Sequence, residues 1–146
     1  MRFILLFTSV LFFVFTSSLS AQDNGIGSLI EKSTNTRIEN RVAIYSGIDK
    51  ISGRIHTFDV YINETVKFGQ LEITPRICYS RPATEEPKTT SFLEVNEITL
   101  DRRIRRIFTG WMFAESPGLN AIEHPVNDVW LVGCKQTSDI PPPPTN

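Results

Sequence analysis

Residues 54–62 read RIHTFDVYI, and this stretch decides the fold class. Toward its end the residue types alternate, with Phe58, Val60 and Ile62 on one face and Thr57, Asp59 and Tyr61 on the other. An extended chain sends successive side chains to opposite faces, so a period of two marks a strand with one face buried. Asn63-Glu64 supplies the turn that ends it. Working outward, RVAIYSGI (41–48) precedes Asp49-Lys50, and 65–68 and 71–79 follow around Gly69. In the latter, Leu71, Ile73 and Ile77 share a face, while Glu72, Thr74, Arg76 and Cys78 take the other. Pro75 cannot donate to a ladder and predicts an edge strand or a bulge. Segments 92–100 and 104–114 form a hairpin around Asp101-Arg102-Arg103, and an apolar run at 129–132 closes the series. No segment carries a capped helical stripe of two turns. About eight short strands with frequent turns predict an all-β fold, an antiparallel sandwich or small barrel.

The flanks read differently. Arg2 is followed by an almost wholly apolar run at 3–15 and small polar residues at 16–20, the plan of a secretory signal peptide. The run is shorter than the roughly 18 to 20 residues a spanning helix needs, so no membrane span is expected after cleavage behind Ser20 or Ala21. Residues 21–40 form a polar leader, flexible save for a short helical turn around 28–32. The β domain is expected over 41–135, and 136–146, ending in four prolines and Thr145-Asn146, forms a disordered tail outside the fold. Without residues 1–20, 14 Lys plus Arg face 16 Asp plus Glu, a net charge of −2. Such a balance excludes a general nucleic-acid binder. The mature chain is expected to be exported, with secretion into the medium as one alternative.

Cys78 and Cys134 are the only cysteines, and both sit in strand-like contexts. In an oxidising compartment an even pair is most simply one disulfide. Its loop of about 57 residues gives roughly 4 kcal/mol in the chain-entropy model. Two cysteines without neighbouring ligands make a poor zinc site. No metal or cofactor is expected.

Two charged or polar constellations compete for function. Arg102, Arg103, Arg105 and Arg106 suit an anionic partner, but Glu94, Glu97 and Asp101 on or beside the facing strand are placed to pair with them. The segment 110–134 holds both tryptophans, Trp111 and Trp130, which are expected mainly as packing residues. Its loop 116–128 is richer in chemistry than a plain connection needs. Ser116, Asn120, Glu123, His124 and Asp128, with Trp111 and Arg81 nearby, are therefore the candidate contact residues for an envelope protein or glycan. The enzyme alternative is an envelope hydrolase using His124 with Glu123 or Asp128, since a carboxylate can orient an imidazole base. Ser116 completes a triad on paper, but Pro117 behind it cannot supply an oxyanion-hole N–H. A host-directed secreted factor is the third class.

Three runs carry a resemblance: Asp49-Lys50-Ile51-Ser52-Gly53-Arg54 leading to Thr57-Phe58-Asp59-Val60; Phe68-Gly69-Gln70-Leu71 leading to Cys78-Tyr79-Ser80-Arg81-Pro82; and 110–134. Over 41–135 the chain resembles the domain of unknown function 2155 family, small exported proteins of Gram-negative bacteria. The resemblance implies periplasmic residence and transfers no catalytic residue. The chain departs at Ala83, where the family tends to repeat proline, and at Asn127, where it tends to have tyrosine.

Overall fold

The alternation at 54–62 is a strand in the computed structural model, which describes residues 36–141. The expected signal at 1–20, most of the leader with its helical turn, and the last five residues lie outside the described residues. The described residues form eight strands: β1 (Ile38–Asn40), β2 (Val42–Asp49), β3 (Arg54–Tyr61), β4 (Val66–Phe68), β5 (Leu71–Ser80), β6 (Thr90–Ile98), β7 (Ile104–Phe113) and β8 (Asn127–Lys135). They form two antiparallel sheets. In the larger, β5, β6 and β7 run side by side, and the free side of β5 takes β1 at one end and β4 at the other. In the smaller, β2 lies between β3 and β8. The chain changes sheets at Arg41, between β1 and β2. Of the two all-β architectures, this is the sandwich. Among the described residues there is no helix long and apolar enough to cross a membrane.

The core follows from the alternation. Ala43, Tyr45, Val60, Val129 and Leu131 from the smaller sheet meet Leu71, Ile73, Leu93, Val95 and Met112 from the larger. Phe68 stacks on Phe58 and lies over Gly47, where an added Cβ would come within 2.6 Å of the ring. A side chain at 47 would therefore push the two sheets apart.

Both cysteines reach this core by interruptions of the period of two. In β5, Leu71, Ile73 and Pro75 are buried, but the pairing with β6 slips between Pro75 and Ile77. One extra residue reverses the parity beyond it. Cys78 is thus fully buried, whereas Ile77 and Tyr79 turn outward, the reverse of the faces expected from strict alternation. Pro75 marks a bulge and not an edge: β6 lies on one side, and on the other its carbonyl accepts the Asn63 N–H at 2.7 Å. In β8, Tyr45 faces Leu131 while Ile44 faces Gly133, leaving Val132 as the extra residue. That slip puts Cys134 on the face of Val129 and Leu131. The disulfide Cys78–Cys134, with Cα atoms 5.9 Å apart, ties one sheet to the other.

Tyr45 makes the second tie. Ser91 Oγ donates to the Ile77 carbonyl at 2.8 Å, so the Tyr45 hydroxyl, 2.8 Å from Ser91 Oγ, donates to it. A chain of hydrogen bonds runs from β2 across the core to the bulge. Burial pushes the Tyr45 phenol well above its ordinary range, partly opposed by the Ser91 bond.

The ends of the domain differ from expectation. Residues 38–40, read as leader, form β1, because Asn40 Nδ2 donates to Ile38 O and Ser80 Oγ, both at 2.9 Å. The first residues of the tail are fastened too. Gln136 Nε2 donates to Glu39 O at 2.8 Å and Tyr61 Oη donates to Ile140 O at 2.8 Å.

Two outcomes follow from these ties. Cys78→Ala with Cys134→Ala should lower the unfolding free energy by about 2–5 kcal/mol in urea denaturation. An unchanged midpoint would show that packing alone holds the sheets. Tyr45 should also make stability fall in alkali. Its contribution is intact below about pH 10, where the unfolded phenol is still protonated, and is lost as pH rises from there toward the higher folded value. Tyr45→Phe should cost about 1 kcal/mol at neutral pH and flatten that alkaline slope.

Candidate binding cleft

The bulge that buries Cys78 turns Tyr79 onto the outer face of the larger sheet. There it meets Phe92 of β6 and Trp111 of β7, which are register partners. Tyr79 and Trp111 lie nearly parallel, at 18° with centroids 6.4 Å apart, and Phe92 meets Trp111 edge-on at 5.4 Å. The Arg37 guanidinium stands over the Tyr79 ring at 5.8 Å. Arg37, Tyr79 and Trp111, with Arg81, Lys88 and Phe113, line a cleft of about 290 Å³. A larger hollow of about 540 Å³ shares Arg81, Lys88 and Phe113 and continues past Glu86 and Glu115 to Ser116 and Leu119. Trp111 is 37% exposed. Neither tryptophan lies in the core: Trp111 packs on Tyr79 and Phe92, and Trp130, partly buried, alternates with the buried Val129 and Leu131 and so lies on the outer face of the smaller sheet.

The candidate contact residues divide between two ends. Phe113 pairs with Thr90 at one end of the sandwich, and Asn127 pairs with Asp49 at the other. The segment 114–126 is therefore a strap along the molecule, plugged into the core by Ile122. Trp111, Arg81 and Ser116 gather at the first end. Asn120 braces them, its Nδ2 donating to the Trp111 carbonyl at 2.8 Å. Glu123 is exposed on the strap, and His124 and Asp128 belong to the far end.

His124 is buried, with its Nδ1 accepting the N–H groups of Val126 at 3.3 Å and Asn127 at 3.0 Å. The ring proton therefore sits on Nε2, which faces Glu97 Oε1 at 3.4 Å without a well-formed hydrogen bond. Lys50 Nζ donates to the His124 carbonyl at 2.9 Å. The carboxylate at this histidine is thus Glu97, not the exposed Glu123. Asp128 Oδ1 accepts the Val129 N–H at 2.9 Å. A general base needs a lone pair within reach of substrate. The Nδ1 lone pair here is given to two backbone amides, and Ser116 is at the opposite end. His124 holds the strap. Beside it Asn127 accepts the Gln70 N–H at 3.1 Å and lies against Gly69, where an added Cβ would sit 2.5 Å from its amide. Gly69 also has φ +57°, so the turn needs glycine twice over.

Three of the four arginines in the run, Arg103, Arg105 and Arg106, pair with the acids beside them. Arg105 bonds Glu97 at 2.6 Å, Arg103 pairs with Asp101, and Glu94 lies between Arg76 at 2.8 Å and Arg106 at 3.2 Å. Arg105 holds the Glu97 carboxyl below the usual carboxylate range, with a smaller contribution from His124. Among the described residues no three His, Cys, Asp or Glu side chains gather as a metal site.

Arg37, Tyr79, Lys88 and Phe113 were not among the residues expected at a site. They come from separated segments, and Tyr79 faces outward only because of the bulge. Glu97 carried a readable signal, an acid in phase with the buried Leu93 and Val95.

These features define a two-sheet, cystine-linked β domain with an aromatic and cationic cleft on one outer face. The chain belongs to the bacterial family DUF2155, described as an uncharacterized protein conserved in bacteria, whose model matches residues 43–134. The match includes both cysteines and the whole cleft except Arg37. No curated protein and no solved structure matches the chain.

His124→Ala should cost about 2–4 kcal/mol, because it strips two buried N–H groups of their acceptor. Glu97 should titrate below the usual carboxylate midpoint, and its ion-pair contribution should be lost as pH falls through that depressed value. Arg105→Gln should raise the Glu97 midpoint in a carboxyl carbon NMR titration. An unmoved midpoint would mean the pair does not form in solution.

Proposed function

We propose that this domain is a non-enzymatic binding module of the bacterial cell envelope, exported to the periplasm, which holds an envelope protein or glycan through the cleft at Trp111 and Arg81. The observation that carries this reading is the exposed indole of Trp111 set parallel to Tyr79 among three cationic side chains. Exposed aromatic and arginine side chains are the residue types that dominate binding energy at recognition surfaces. Elsewhere on the same sheet Arg76, Arg105 and Arg106 are neutralised across the strands by Glu94 and Glu97. The charge at this cleft is concentrated where rings are exposed.

Export is supported by the apolar run at 3–15 and by the cystine, which persists in oxidising compartments. The hydrolase reading gains no support from the placement of His124.

In intact cells, a photo-crosslinker at Ser116 should trap a discrete envelope species, and one at Ile55 on the smaller sheet should not. Trp111→Ala should abolish the Ser116 adduct while leaving thermal melting unchanged. An adduct that survives Trp111→Ala would rule out the cleft. Recovery of the protein in the cytoplasm with two free thiols would rule out export, and accumulation in the medium would favour the secreted, host-directed class.

A further inference from the structure

We infer that the cleft takes an acidic sugar, a pyranose ring bearing a carboxylate or phosphate. This rests on the binding-module reading above and names its ligand class. Tyr79 and Trp111 present two nearly parallel rings with centroids 6.4 Å apart. The negative face of an aromatic ring attracts polarised C–H groups, and one face of a pyranose is a flat array of them. Arg37, Arg81 and Lys88 line the same cleft, and no carboxylate lines it. Glu85 answers one of the three charges, at 2.9 Å from Arg81. The cleft therefore keeps a cationic excess for an anion. The Arg37 guanidinium lies over the Tyr79 ring at 5.8 Å and lines the cleft, where its N–H groups can bind two oxygens of an anion.

Size and position favour a sugar over a peptide. A volume of about 290 Å³ lies at the small end of small-molecule sites, roughly 300–1,000 Å³. An extended peptide binds by adding to a sheet edge, where backbone groups are unpaired. Here the floor is a sheet face: Tyr79 pairs with Glu39 on one side and Thr90 on the other. The Trp111 carbonyl is taken by Asn120. At this floor side chains are on offer, as a ring with a charged substituent requires.

The test is an amide NMR titration of the full-length purified protein with trigalacturonate, glucose 6-phosphate, maltotriose and hexaglutamate. Trigalacturonate or glucose 6-phosphate should shift the Tyr79, Lys88 and Trp111 signals saturably below about 10 mM. The two arms separate a carboxylate sugar from a phosphate sugar. Affinity should fall severalfold in about 0.5 M salt. Trp111→Ala should weaken it about tenfold, and Arg81→Gln with Lys88→Gln by a similar factor. Trp130→Phe should leave it unchanged. Should Trp111→Ala fail to fold, the double glutamine variant decides: retained affinity overturns the inference. Equal binding of maltotriose, tighter binding of hexaglutamate, or no shift with either acidic sugar also overturns it. If both sugars fail while the Ser116 adduct still depends on Trp111, the sugar inference falls and the binding-module reading stands.

Discussion

One extra residue between Pro75 and Ile77 governs both the interior and the surface of this domain. With strict alternation, β5 would send Cys78 to the solvent side and Tyr79 to the core. The cystine could not then bridge the sheets, and the ring that stacks beside Trp111 would be buried. Proline is well suited to the position because a bulge leaves a ladder N–H without a partner, and proline has none to lose. The Ile77 carbonyl beside the slip is bonded by Ser91, which is in turn bonded by Tyr45 of the opposite sheet. The irregularity is thus held from within the core. Stability and the candidate site share one backbone feature.

The strap 114–126 separates the two ends of the sandwich by task. At one end it frames the aromatic cleft through Asn120. At the other, His124 closes the strap onto β8 by accepting two backbone N–H groups, an arrangement that consumes the chemistry a catalytic histidine would need. Buried polar groups of this kind stabilise when satisfied and are costly when stripped of a partner. The polar richness of 116–128 serves the anchoring of a long connection as well as recognition.

The strands were legible because the period of two is a direct print of backbone geometry, and the cystine because two cysteines allow one intramolecular pairing. Side-chain facing was legible only up to each bulge. Pro75 announced a bulge without saying on which side of it Cys78 and Tyr79 would emerge. In β8 nothing in VWLVGC marks Val132 as the extra residue. Trp111 and Arg81 could be singled out because indole and guanidinium are the side chains that most often anchor recognition surfaces. Arg37 and Lys88 could not, because their approach depends on the pairing of β1 with β5 and on the course of the 81–89 loop. The strand at 38–40 escaped notice because three residues are too short to show a period.

Where the chain enters and leaves the sandwich has a mechanical consequence. Gln136 reaches Glu39 and Asn40, so the two anchoring points touch, and a pull between them first breaks those few hydrogen bonds. Beyond that, tension can draw out only the segments outside the cystine ring. The ring, closed between Cys78 and Cys134 at a sequence separation of 56, locks β6, β7 and the strap at fixed contour length. Tyr79, Arg81, Lys88, Trp111 and Phe113 lie inside it, and Arg37 lies outside. Stretching the domain from its N-terminal side would therefore peel Arg37 off Tyr79 while the rest of the cleft stays covalently enclosed, making the charge of the cleft sensitive to load.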